Sequence, residues 1–300
     1  MDSAPLSYPE TLFSDAETLL RHTDFPSART VYAKAMHRMF KAERVARFLV
    51  NETARSLISN ICIYADLDFD SATPGTGLTV RKLQRLCSAR GLASPGRVFA
   101  FVNMMRLSGY LRTEPVQDQR YKILRPTEKL HAYRRDLMQC IFSAVDIVSH
   151  RGDYAQRASD PATDRQILRV AGSDYFERGF LLLDYHPDIK MFADRDGGYH
   201  FLLELLHLSG FFSGDYAPGR TLDISLTQMG LRCFLSRSHL RSILNDAAER
   251  GLIAFATGPG ITITLQNTLT RLYDQHVAIL LAYYGNMVDN RVSGGAGGPP

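Results

Sequence analysis

The stretch that decides the fold runs from Leu78 to Lys129: LTVRKLQRLCSARGLASPGRVFAFVNMMRLSGYLRTEPVQDQRYKILRPTEK. Thr79 is placed as the N-cap of a short helix that buries Leu83 and Leu86. Ser94-Pro95 joins a cap to a proline in the first helical position, a strong start for a second helix. Val98, Phe101, Val102 and Met105 recur along that helix at spacings of three and four, which makes them its inward face. Gly109 ends it. Residues 110–113 then read as a strand, 117–120 as a turn tip and 121–124 as the return strand. Thr127 is placed as the cap of a long helix running to Val148. Helix, tight turn, helix, hairpin, helix is the order of a winged helix-turn-helix, whose second helix fits a DNA major groove.

A weaker copy returns 142 residues later. Ser94 to Gly109 spans the same interval as Ser236 to Gly251, so Val98 meets Leu240, Phe101 meets Ile243, Val102 meets Leu244, Met105 meets Ala247 and Leu111 meets Ile253. Ser225-Leu-Thr-Gln228 is a capping box for the helix before. Strands at 252–256 and 261–265 flank a tight Thr257-Gly-Pro-Gly260, and Asn267-Thr268 opens a last long helix. The chain therefore reads as an internal duplication. The expected fold class is mainly α with small β-hairpin wings (α+β): two winged helix-turn-helix units on a shared scaffold of long helices. The halves are 1–150, with its winged helix at about 78–130, and 151–292, with its winged helix at about 222–268. The glycine- and proline-rich 293–300 is expected to be a disordered tail.

Outside the two units, Ser14-Asp-Ala-Glu17 reads as a capping box starting a short helix to Leu20. Residues 27–66 are almost free of breakers, with Val31, Ala35 and Met39 at helical spacing, more helix than one small winged core needs. Residues 151–164 are polar and contain Pro161, so they read as the linker between halves, with Thr163 to Gln166 capping the next helix. Asp66, Asp68 and Asp70 lack the glycine and closing glutamate of a calcium loop.

The net charge of +4 is unevenly spread. Residues 1–150 carry 21 basic against 15 acidic side chains, and residues 151–300 carry 14 against 16. Leu78 to Arg135 alone holds 13 basic and 3 acidic residues, a footprint suited to a polyanion. No apolar run reaches the ~18 residues of a membrane span, and MDSAPLSYPE lacks the layout of an export signal. The expected location is therefore cytoplasmic, on the nucleoid when bound. Cys62, Cys87, Cys140 and Cys233 stand singly in apolar helical patterns, as buried packing residues do.

The first unit resembles the MarR-type winged-helix regulators. The residues that carry the likeness are SPGRVFAFVNMMRLSGYL at 94–111, DQR at 118–120 and RPTEKL at 125–130. Two features depart from the family pattern: Leu130 stands where a glycine is usual, and the double-arginine wing is reduced to Gln119-Arg120. Members are homodimers with interlocked terminal helices, each subunit about half this length, so the likeness implies a dimer fused into one chain that functions alone. It also implies a small aromatic or acidic effector held near the junction of the long helices.

The candidate DNA-reading residues of the first unit are Ser94, Arg97, Ala100, Asn103 and Arg106 on the second helix and Arg120 on the wing. Asparagine pairs bidentately with adenine, arginine grips guanine or phosphate, and Ala100 or Phe99 can touch a thymine methyl. Arg81, Lys82 and Arg85 on the preceding helix would lie against the DNA backbone. Arg106 and Arg112 read equally well as solvated charge beside the hairpin. The second unit offers Arg237, Ser238, His239, Arg241, Ser242 and Asn245, but its wing carries no cation, and 220–271 holds only 6 basic against 3 acidic residues.

No G-x-S-x-G, P-loop, H-E-x-x-H or G-x-G-x-x-G is present, so no enzyme, cofactor or metal site is expected. The nine histidines are scattered without ligand spacing. The leading reading is a sequence-specific regulator of double-stranded DNA that reads an asymmetric or imperfectly palindromic operator. The rivals are a plasmid-type replication initiator with two winged helices, and a winged-helix scaffold with reduced DNA binding.

Overall fold

A computed structural model describes residues 10–41, 44–70, 73, 75–115, 122–257 and 260–292. Apolar spacing becomes helix in α1 (Glu10–Leu20), α2 (Phe25–Lys41), α3 (Arg44–Val50) and α4 (Thr53–Tyr64). Ser14 does not start α1. It lies inside the helix, and its carbonyl accepts from the Thr18 hydroxyl at 2.9 Å. Leu12 and Ala16 are buried where α1 packs on the last long helix, and that burial holds the turn ahead of Ser14 helical.

The quoted stretch folds as α5 (Val80–Ala89), α6 (Pro95–Leu107), β1 (Leu111–Pro115) and β2 (Lys122–Pro126), followed by α7 (Glu128–Val148). Thr79 and Ser94 each accept from the backbone N–H three residues on. Leu83 is buried as expected, but Leu86 is 41% exposed because Cys87, one position later, takes the inward slot. β1 and β2 pair antiparallel with Leu111 opposite Pro126, and the Leu78 carbonyl accepts from Leu124 N–H at 2.7 Å. The Thr127 side chain does not cap α7. Its hydroxyl donates to the Gly109 carbonyl at 2.6 Å, tying the start of α7 to the end of α6.

Residues 151–164 are largely helical. They form α8 (Tyr154–Ser159) and the first turn of α9 (Pro161–Gly172). The Asp146 carboxylate accepts from the backbone N–H of Tyr154 and Ala155 at 2.6 and 3.1 Å, while Tyr154 and Ala158 are buried. Asp160, rather than Thr163, caps α9, with Pro161 in the first helical position. After a π turn (Ser173–Glu177) and a 3-10 turn (Leu182–Tyr185) come α10 (Pro187–Ala193) and α11 (Gly198–Leu208). The second unit follows: β3 (Thr221–Ile224), α12 (Leu226–Cys233), α13 (Arg237–Glu249), β4 (Ile253–Thr257), β5 (Ile261–Leu265) and α14 (Asn267–Asn286). Its antiparallel sheet has the order β3-β5-β4.

Two backbone hydrogen bonds recur in both stretches. Tyr110 N–H donates to the Met105 carbonyl at 2.8 Å, and 142 residues later Leu252 N–H donates to Ala247 at 2.9 Å. Thr127 N–H reaches Tyr110 at 3.0 Å, while Gln266 N–H reaches Leu252 at 3.0 Å, an offset of 139 that leaves the second hairpin three residues shorter. Gly109 and Gly251, at φ 75 and 66, supply the left-handed turn that lets each chain leave its helix for a strand.

The protein is mostly helical with two small antiparallel sheets. Its cores do not divide at residue 150. One cluster, Leu49 to Tyr133 plus Leu168, fills the first unit. The larger cluster joins α1, α2 and α7 to α9, α11, α14 and the second unit, and α7 packs directly on α14. All four cysteines are free and buried. No described helix is long and apolar enough to cross a membrane. The first hairpin tip at 116–121, with Arg120, and the tail at 293–300 lie outside the described residues.

Candidate nucleic-acid interface and the cavity behind it

On α6, Val98, Phe101, Val102 and Met105 are buried, which turns Ser94, Arg97, Ala100 and Arg106 outward; Asn103 is half-buried. The Asn103 amide oxygen accepts from the Arg106 guanidinium at 3.4 Å, so these two candidates sit together at the end of the helix. Arg97 is committed differently: its guanidinium is hydrogen-bonded to the carboxylate of Glu52, a residue only 7% exposed. Arg112 pairs with Glu114, two residues on along the same strand, and is no free cation. Arg81 and Arg85 project from α5 into solvent, with Lys82 half-buried beside them. Phe99 at 53% and Leu107 at 91% exposure add an apolar element to this face.

α13 repeats the layout. Leu240, Ile243, Leu244 and Ala247 are buried, leaving Arg237, Ser238, Arg241, Ser242 and Asn245 exposed and His239 half-buried. The Ser242 hydroxyl is within 3.4 Å of the Arg195 guanidinium, which also pairs with Asp246. A tight turn aims the helix: Phe234 adopts φ 60, the one positive-φ non-glycine residue among the described residues, with the Arg47 guanidinium 3.3 Å from its ring centroid. A Cβ on Gly230 would meet the Leu235 carbonyl at 2.5 Å, so only glycine fits where α12 passes this turn. Among the described residues, Arg81, Arg85, Arg237 and Arg241 make no ion pair.

Behind the first unit, where α2, α4, α7, α9 and α14 meet, lies a cavity of about 270 Å³. Tyr32, Met138, Phe176 and Tyr284 line it with the polar Arg134 and His276. Arg134 is buried and paired with Asp164. Burial, with the neighbouring His186 adding to it, pushes the His276 pKa down to about 3, so this ring is neutral.

Sequence reasoning found no histidine–carboxylate cluster, and the fold makes one. His200 and Glu204 lie one turn apart on α11, and His37 reaches them from α2. The His37 Nε2 is 2.7 Å from Glu204 Oε1, with Lys41 Nζ at 3.4 Å and His200 Nε2 at 3.9 Å from the same oxygen. Burial pushes the Glu204 carboxyl up, but the His37 hydrogen bond and the charges of His37 and Lys41 outweigh it and hold the pKa at about 2. Only the His-x-x-x-Glu spacing was visible in the sequence; nothing there marked His37 as its partner.

Compared with known proteins, the chain matches no family model, no curated protein and no solved structure.

Proposed function

We propose that the chain is a non-enzymatic, sequence-specific regulator that binds double-stranded DNA through two MarR-like winged helices fused in one polypeptide. The observation that carries this reading is the pair of helix–helix–hairpin units, sharing backbone bonds and each followed by a long scaffold helix, whose second helices turn Arg side chains outward beside a half-buried Asn103 and an exposed Asn245. A major groove accepts such a helix, arginine and asparagine are its commonest readers, and unpaired arginines supply the phosphate attraction. The Leu78 contact with β2 and the β3 strand give each hairpin the edge partner that braces a wing.

Two unlike reading helices in one chain fit unlike half-sites about one helical turn apart. The shorter second hairpin, without a cation, supplies less phosphate contact than the first. The cavity between the long helices suits a small effector. Arg134 already has its counter-ion in Asp164, and apart from the uncharged His276, Thr53, Ser56 and Asn60 the lining is aromatic and apolar, which favours an uncharged aromatic molecule over an acidic one.

Selection of bound duplexes from a random pool tests the reading. The expected product is one asymmetric or imperfectly palindromic site; perfect palindromes would sink the fused-dimer account. The exposed Phe99 and Leu107 favour a second reading, a winged-helix scaffold that binds protein. Weak duplex binding without sequence preference at physiological salt would select it. An array of direct repeats in footprints would instead indicate a replication initiator.

A further inference from the structure

We propose that His37, His200 and Glu204 form a site for one divalent transition-metal ion of the zinc class, bridging α2 and α11. One donor atom from each residue lies within 4.8 Å of the others. Bonds of about 2.0–2.1 Å in a tetrahedral shell place neighbouring donors roughly 3.3 Å apart. The His37–Glu204 distance of 2.7 Å would open slightly and the His200–Glu204 distance of 3.9 Å would close.

A second observation points to a ligand independently. His200 is fully buried, stacked on the Phe40 ring at 5.0 Å, and neither of its ring nitrogens has a hydrogen-bond partner. Buried polar atoms left unmet are costly and call for an explanation, such as an ion. A metal ion on Nε2 meets that need.

The donor set decides the class. Two imidazoles and one carboxylate suit zinc and its neighbours, whereas calcium and magnesium take oxygen shells. Three protein ligands leave one position for water or for His207, whose ring lies 5.7 Å from that of His37. Lys41 and Arg232 stand at the rim of the same carboxylate with side chains 54% and 52% exposed. Lys41 is thus a flexible competitor able to swing into solvent. α2 precedes residue 150 and α11 follows it, so an ion here would cross-link the two halves next to α12.

The test uses the full chain, stripped with chelator and titrated calorimetrically with Zn²⁺, with Co²⁺ absorption reporting coordination by nitrogen and oxygen. One ion per chain and a raised Tm are expected. His37→Ala, at a position still partly exposed, is expected to weaken binding more than about tenfold while the metal-free chain keeps its circular dichroism. Lys41→Met is expected to tighten binding severalfold by removing the competing ammonium. A structural charge cluster would bind no ion and would be indifferent to both changes. No saturable binding, an affinity unchanged by His37→Ala, or one not improved by Lys41→Met would overturn the assignment.

Discussion

The Arg97 guanidinium is hydrogen-bonded to the Glu52 carboxylate, which ties the start of α6 to the start of α4. Glu52 also takes Arg55 Nε at 3.2 Å, and Arg55 forks onto Asp196 at 3.0 and 3.1 Å. The network therefore runs from α6 to the loop before α11. Arg97 must leave Glu52 to grip a phosphate. Glu52→Gln is expected to free it, tightening binding to any duplex and steepening the log-affinity against log-salt slope by about one unit. Fluorescence anisotropy across a salt series measures this; an unchanged slope in a folded variant removes Arg97 from the interface.

Asn103 and Arg120 are expected to fail in different ways. Asn103→Ala should cost about 1–3 kcal/mol at one base position and little elsewhere. Arg120→Ala should weaken all sequences alike and make the salt slope shallower by about one unit. Competition binding with single-base operator variants separates the two patterns. If neither substitution alters binding, the first unit is not the reader.

Gly172 sits where α9 crosses α4, and a Cβ there would lie 2.1 Å from the Tyr64 ring. That ring packs against Phe176, and its hydroxyl donates to Glu177 at 2.8 Å, so it cannot move without losing both. Gly172→Ala is expected to destabilise the protein by about 1–3 kcal/mol through overpacking. Adding Tyr64→Ala should recover part of the loss, a non-additivity that a double-mutant cycle in urea would measure.

His276 should contribute to acid sensitivity. Its folded pKa of about 3 lies below the ordinary 6.5, so below pH 6.5 the unfolded chain binds a proton that the native state refuses. This contribution is fully present above pH 6.5 and is lost as the pH falls toward 3. One such group gives a slope of at most about 1.4 kcal/mol per pH unit. His276→Phe is expected to lower proton uptake on unfolding by about one between pH 6 and 4. Urea denaturation at a series of pH values checks this, and an unchanged slope would mean that His276 is not held neutral.

What the sequence determined by itself was local. Thr79, Ser94, Ser225 and Ser236 each accept from the backbone N–H three residues on, because a cap needs only one hydroxyl and its own helix. The stripes Val98–Met105 and Leu240–Ala247 are buried because period 3.6 alone puts them on one face. The tertiary structure decided what distant packing controls. It carried α1 back past Ser14, folded most of 151–164 into helix after the Asp146 carboxylate, and packed α1, α2 and α7 into one core with the second half while the first unit kept its own. It also gathered His37 with His200 and Glu204, and turned Arg97 onto Glu52, through contacts across 167 and 45 residues of chain. Capping and periodicity act within a few turns of helix and leave their mark in the order of residues. A contact between distant side chains depends on where two helices finally lie, and the burial of the whole core sets that.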